Sequence, residues 1–456
     1  MGNNTKIKKR NCGLFELIYD NKKDDFDVTV EIVDAIMGSG KSTEIFKWID
    51  ANPNDKYIYV SPLISEVGEG GRVHREVMHT KFHSPNSDDE YKTKSDDLLS
   101  LLKRGLNICC THSLYLMMTS EHLKEIKDGG YVLIIDEELG VVDSYDYFSK
   151  SDLDSLIGFG CVKKQDSDGM LVWVGEDKNF DNKSHKYYKL KRDIMNGILY
   201  SAKRADSMLV LQLPIKLFTV AKRVIIITYM FEGNTLSSFL NLKGVKCKLF
   251  TEIVLPEVDK SEIRKLINMY EVKGKWKQME KFKLSNTWYT VNGKGNASSV
   301  DIKLIEKFII SFARATGATY KELMYTFPKN RNFEAKKVST VIKPKGLIDR
   351  EELGFDDDGK ECHKIEKVWI ATQTRATNDY AHKTHLVHAF NRYPNIAVKS
   401  YFQDYGQPID QDTFALAELL QWIWRSAIRN GEPINLCILS PRMRELFLDW
   451  LNDGGL

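Results

Sequence analysis

The sequence predicts an α/β protein with mostly parallel sheets, and three observations carry that reading. Apolar, β-branched runs recur at Val28–Ile36, Tyr57–Val60, Asn107–Cys110, Tyr131–Ile135 and Arg223–Ile227. Stretches of helical character lie between them, and strands that alternate with helices pair in parallel through crossover connections. Tyr131-Val-Leu-Ile-Ile135 is apolar at every position, as a strand covered on both faces requires.

A chain of 456 residues exceeds one ordinary core. The expected division is an N-terminal extension over 1–27, a first domain over 28–233, and a second over 234–456 with an insertion near 340–365. Formal net charge is +3, so any surface for a polyanion must be local. Seven cysteines are scattered without a Cys-x-x-Cys pair. That usage indicates neither a zinc ribbon nor a disulfide framework and suits a reducing cytoplasm. The basic start lacks the apolar core of a secretory signal. No apolar run reaches the roughly 20 residues that a membrane span needs. A cytoplasmic protein without a membrane partner is expected.

Further elements follow from local pattern. Lys41–Ile49 reads as an amphipathic helix, Ser84–Asp97 as a polar loop, and residues 160–190 as a hairpin-like insertion. In the second half Ile302–Ala315 and Thr413–Ala427 read as helices. Glu322–Phe327, Lys367–Ala371 and Ile434–Leu439 read as strands. Asp356-Asp-Asp-Gly359 reads as an exposed acidic turn.

The first chemical signal is Ala35-Ile-Met-Gly-Ser-Gly-Lys-Ser-Thr43, set between the first strand and a helix. This is the context of a phosphate-binding loop. Gly38 and Gly40 let successive N–H groups converge on phosphate oxygens, and the helix N-terminus favours the anion. Met37, Gly38, Ser39, Gly40, Lys41, Ser42 and Thr43 are the candidate nucleotide contacts. Lys41 reaches the β/γ oxygens, and Ser42 offers its hydroxyl to Mg²⁺. Ala35 stands where the general pattern has glycine.

The second signal is Asp136-Glu-Glu-Leu139, directly after the Tyr131–Ile135 strand. Nucleotide hydrolysis needs one carboxylate for the metal and one to take a proton from the attacking water. Asp136 is assigned the first role and Glu137 the second, with Glu138 as a helix-start acid.

These motifs resemble superfamily-2 DEAD/DEAH-like helicases, particularly the phage-encoded branch acting in DNA replication. Ala35–Thr43 looks like motif I and Asp136–Leu139 like motif II. Tyr59-Val-Ser-Pro62 is similar to motif Ia, Thr111-His-Ser113 stands at motif Ib, and Phe327 with Lys329 at motif IV. Only Thr228 matches motif III. Thr372–Tyr380 looks like motif V. Gln421-x-x-Trp-Arg-x-x-Arg429 keeps the spacing of motif VI, with Trp424 replacing glycine.

The resemblance implies two tandem RecA-like domains with ATP and Mg²⁺ in a cleft between them. It implies catalytic roles for Lys41, Asp136, Glu137, Arg425 and Arg429, with Gln421 near the nucleotide. Arg425 and Arg429, four apart on one helix face, would stabilise charge at the γ-phosphate. Ser61, Pro62, Thr111, Thr228, Arg375, Thr377 and Asn378 would contact nucleic acid. The implied partner is DNA, single-stranded or forked, with RNA left open and replication proteins as candidate associates. For a phage-encoded chain the compartment is the host cytoplasm.

Two other functions compete. A terminase-like packaging ATPase would need clustered nuclease acids after the motor. A non-enzymatic, nucleotide-gated DNA-binding regulator would tolerate loss of Lys41, Asp136 or Glu137, all of which are present. His382, His385 and His388 recur every third residue, a spacing that spreads side chains around a helix, and no cysteine or acid nearby completes a zinc set. Lys273–Lys283 mixes cations with Trp276 and Phe282; it suits either a phosphate-contacting, base-stacking segment or a solvated helix with two core anchors.

Overall fold

A computed structural model of the chain describes residues 28–87, 93–145, 150–176, 178–203, 208–256, 258–290, 295–328, 342–355, 361–374 and 379–452. The N-terminal extension, Lys329, the acidic turn at 356–359 and the segment bearing Arg375, Thr377 and Asn378 lie outside these residues. The chain divides into two units. One runs to Pro256 and includes Pro394–Asp410; the other comprises Glu257–Tyr393 and the residues from Gln411 onward.

The strands of the first unit are β1 (Val30–Asp34), β2 (Lys56–Ser61), β3 (Phe82–His83), β4 (Asn107–Thr111), β5 (Tyr131–Asp136), β6 (Val142–Ser144), β7 (Val162–Lys164), β8 (Leu171–Trp173), β9 (Leu199–Ser201), β10 (Leu209–Gln212), β11 (Arg223–Thr228) and β12 (Cys247–Leu249). Seven of them form a sheet in the order β12-β1-β11-β5-β2-β4-β3, with every neighbour parallel. The continuous apolar runs occupy its centre, where both faces are covered. Ile45, Phe46, Trp48 and Ile49 project from the helix Lys41–Ala51 into a core with Tyr57, Tyr59, Ile134 and Ile225. Full burial of side chains this size contributes about 2 kcal/mol each.

The hairpin expected near 160–190 is β7–β8. Beside it β6, β10 and β9 form a small antiparallel sheet. The helix Ile396–Asp404 belongs with this region: the Tyr401 hydroxyl donates to the Asp168 carbonyl at 2.7 Å, and that of Tyr405 to the Ser201 carbonyl at 3.1 Å. Gly169 makes the approach possible, because a Cβ there would stand 2.1 Å from the Tyr405 hydroxyl.

The first unit therefore extends past the expected boundary at residue 233. β12 pairs with β1, which keeps 234–256 in the first sheet, and residues 394–410 return to it from the second half of the sequence.

In the second unit β13 (Ile267–Met269), β14 (Leu323–Thr326), β17 (His385–His388) and β18 (Ile434–Ile438) form a parallel sheet in the order β13-β18-β17-β14. β15 (Arg350–Phe355) and β16 (Glu361–Glu366) form the insertion as an antiparallel hairpin. Lys367–Ala371 contributes only a bridge, Trp369 to Tyr325, rather than a full strand. The helix Ser299–Thr316 packs Ile305, Phe308, Ile309 and Phe312 onto the sheet. His385 and His388 lie on a strand, not a helix, because β17 is the apolar centre of this sheet and tertiary pairing overrides their three-residue spacing.

Candidate nucleotide-binding site

β1 ends at Asp34, and the chain turns through Ala35–Gly40 into the helix Lys41–Ala51. Gly38 and Gly40 take φ values of +79° and +83°, in the left-handed region. A Cβ at either would meet nothing within 4 Å. The demand for glycine thus comes from backbone conformation, not from crowding. No side chain caps the helix at Gly40, so its first N–H groups are available to an anion and its dipole favours one. Lys41 Nζ folds over the loop and donates to the carbonyls of Ala35 and Ile36. The buried Ser39 hydroxyl has no hydrogen-bond partner among the described residues.

β5 delivers the acids. Asp136 is its last residue and pairs in register with Ile227 of β11. Asp136 Oδ2 lies 3.5 Å from Ser42 Oγ. Adjacent oxygens around an octahedral Mg²⁺ stand about 3 Å apart, so this hydroxyl and carboxylate suit one metal shell. The next residue, Glu137, has φ +64° and is half-buried. A non-glycine residue in that region costs about 1 kcal/mol, and such strain tends to persist where it aims a working side chain. Its N–H donates to the Ile227 carbonyl at 2.9 Å, which holds the turn.

Glu138 does other work. Its Oε1 accepts from the Thr235 hydroxyl at 2.7 Å and the Leu236 N–H at 3.2 Å, at the start of the helix Thr235–Leu242. It is a helix-start acid, but one that serves a different helix from the segment that carries it.

Three residues that sequence reasoning did not assign to the site also meet there. The buried Tyr59 hydroxyl donates to Asp136 Oδ2 at 2.9 Å, and His112 Nε2 donates to the Asp136 carbonyl at 2.8 Å. Arg72 donates to Thr43 Oγ1 at 2.8 Å, pairs with Glu76 at 2.7 Å, and lies over the Phe46 ring. Burial pushes the Asp136 carboxyl above its ordinary range, and the Tyr59 hydroxyl, Lys41, Arg72 and Ser42 pull against that rise. Tyr59 carried a sequence signal, since the alternation in Tyr57-Ile-Tyr-Val60 puts both tyrosines on one sheet face. Arg72 carried none, because its partner Thr43 lies 29 positions away.

The candidate nucleic-acid residues are differently disposed. Ser61 and Thr228 are buried, and the Thr111 hydroxyl caps the following turn by accepting from Leu114 N–H. Pro62 is half-exposed. The Thr228 carbonyl accepts from Ala35 N–H at 3.1 Å, and Asp34 accepts from the N–H groups of Met230 and Phe231, so the segment after β11 is fastened to the loop's base.

The arginine pair departs from expectation. The helix Gln411–Ile423 stops before Arg425, because Ser426 turns both its N–H and its hydroxyl back to the Ile423 carbonyl and Ala427 N–H goes to Lys383. Arg425 is buried in the turn, with its charge bearing on the Tyr380 hydroxyl. Arg429 is exposed on the 3-10 turn Ala427–Asn430, and Gln421 is half-buried. The two arginines share no helix face.

Among the described residues no helix is long and apolar enough to cross a membrane. No group of three or more His, Cys, Asp or Glu side chains gathers there as a metal set.

Comparison with known proteins gives likenesses of three kinds. A solved structure named XPD_APO superposes with a TM-score of 0.47 and 13% identity, covering 93% of this chain and 95% of that one, too loosely to carry an argument. Residues 261–451 match the family described as the YonV C-terminal Rossmann-like domain. Over 446 residues, 93% of this chain and 99% of the relative, the sequence is 29% identical to the SPbeta prophage-derived uncharacterized protein YonV of Bacillus subtilis (strain 168).

Proposed function

We propose that the chain is an ATP-driven motor on nucleic acid, a helicase or translocase of superfamily-2 type acting on DNA in phage replication. The observation that most supports this is that Ser42 of the glycine loop faces Asp136 at the end of β5, with the Lys41 charge bearing on the same carboxylate. In this reading Met37–Thr43 cradles the triphosphate. Lys41 exchanges its two loop carbonyls for phosphate oxygens. Ser42 and Asp136 hold Mg²⁺, which when bound neutralises charge on the β- and γ-phosphates. Glu137 takes the proton of a water as its oxygen bonds to the γ-phosphorus and the bond to ADP breaks. Tyr59 and His112 keep Asp136 oriented. Arg425 and Arg429 are the proposed cations from the second unit.

DNA as the partner rests on the motif resemblance, and the phage setting also on the prophage origin of the relative. ATP turnover with and without single-stranded DNA, followed by unwinding of a forked duplex, tests this reading. Turnover stimulated by DNA supports it. ATP binding without turnover favours a nucleotide-gated regulator instead.

A further inference from the structure

The apolar residues of Lys273–Lys283 have period three: Trp276, Met279 and Phe282. That is the repeat of a 3-10 helix, in which every third side chain eclipses, and Gly274–Lys281 forms one. The apolar ridge faces inward. Met279 is fully buried, Trp276 meets Phe308 edge-on at 5.6 Å, and Phe282 stacks on Trp288 at 5.2 Å. The other two ridges face outward, with Lys275 and Lys281 on one and Lys277 on the other; Lys283 follows just past the extended C-cap Phe282, and all four lysines are exposed.

The nearby acids are occupied: Glu271 pairs with Lys273 at 2.8 Å, and Glu280 with Arg444 at 2.7 Å. Five lysines against one glutamate give Lys273–Lys283 a charge of +4, whereas the whole chain carries +3. The remaining residues are therefore net acidic by one charge. Positive charge is thus concentrated in this segment, and its apolar ridge pins it to the core.

We infer that this 3-10 face docks the sugar–phosphate backbone of single-stranded DNA. The inference rests on the motor reading above and assigns it a surface in the second unit. A rise of about 2 Å per residue sets Lys275 and Lys281 about 12 Å apart, along one line. A line of cations can follow one sugar–phosphate backbone, and the motor reading makes that backbone a single strand's. Trp276 and Phe282 are spent on the core, so contact is electrostatic, tolerant of sequence and sensitive to salt.

The test is binding of a fluorescent oligothymidine to the full chain across a salt series. The comparison is a variant carrying Lys275→Ala, Lys277→Ala, Lys281→Ala and Lys283→Ala. Binding at low salt should weaken by about 10-fold or more. The slope of log affinity against log salt should fall by about 2 to 3, at about 0.7 per lost contact, while thermal unfolding stays unchanged. The four Lys→Arg replacements should restore binding. Undiminished binding and slope in the alanine variant would overturn the surface alone. So would lysine-dependent preference for a duplex, or for polyglutamate, over the single strand. If the unmodified chain binds no nucleic acid at all, the motor reading falls with it.

Discussion

The Tyr59 hydroxyl donates a 2.9 Å hydrogen bond to Asp136 Oδ2, the same oxygen that faces Ser42. Tyr59 and Asp136 come from neighbouring parallel strands, and Tyr59 pairs in register with Ile134, two residues before the acid. The phenol spans that offset and fixes the carboxylate toward the glycine loop. Tyr59→Phe keeps the packing and removes only this bond. The Mg²⁺ concentration for half-maximal turnover should rise by about 10-fold, as is common when a group orienting a metal ligand is lost. Stability should fall by about 1 kcal/mol. Metal titration of the purified variant checks this, and an unchanged midpoint would remove Tyr59 from the site.

Glu137 and Glu138 are adjacent, and the Glu138 carboxylate is engaged at the start of the helix Thr235–Leu242. Glu137→Gln should bind ATP normally and hydrolyse it very slowly, because the amide keeps the shape but accepts no proton. Glu138→Gln should keep turnover and lose about 1 kcal/mol of stability, since it weakens the start of the helix Thr235–Leu242. Parallel nucleotide-binding, turnover and melting measurements separate the two. Inactivity of Glu138→Gln alone would show the acidic pair to be shifted by one residue.

His388 supplies a pH dependence. It is fully buried against Trp422 with neither ring nitrogen hydrogen-bonded among the described residues, and burial lowers its pKa to about 3. Below the ordinary histidine value of about 6.5 the unfolded chain takes up a proton that the folded chain refuses. Stability should therefore decline as pH falls from about 6.5 toward 3. Between pH 7.5 and 5 this residue accounts for about 2 kcal/mol. His388→Leu should lose that much of the pH dependence in denaturant titrations, and an identical decline in both proteins would contradict the assignment.

Arg429 is exposed, so Arg429→Ala should leave the fold intact. If it meets charge in the transition state, turnover should drop by about a hundredfold or more with little change in ATP binding. The buried Arg425 is better tested as Arg425→Gln, with melting as the control. Full turnover in both variants would leave the second unit without a catalytic role.

The parallel sheets and the glycine loop were legible in the sequence because each rests on local pattern. Continuous apolar runs mark central strands, and left-handed turns require glycine. What the sequence did not disclose depends on distant partners. The pairing of β12 with β1 and the return of 394–410 through Tyr401 and Tyr405 moved the domain boundary. Ser426 ended the helix that was expected to carry both arginines. The roles of Arg72 and Glu138 were hidden for the same reason, since Thr43 and Thr235 are remote in sequence. The three-residue histidine spacing did not disclose a strand, because sheet pairing decides where His385 and His388 lie.

The most direct measurement of the central claim is ATP turnover by the full chain with Mg²⁺, with and without single-stranded DNA, beside Lys41→Ala. Lys41 donates to the loop carbonyls of Ala35 and Ile36 and belongs to no core cluster, so its loss should leave the core intact, with the melting temperature as the control. The expected result is DNA-stimulated turnover in the unmodified protein and none above background in Lys41→Ala. Near-normal turnover in a well-folded Lys41→Ala, or no turnover by the unmodified chain under any of these conditions, would contradict the assigned site.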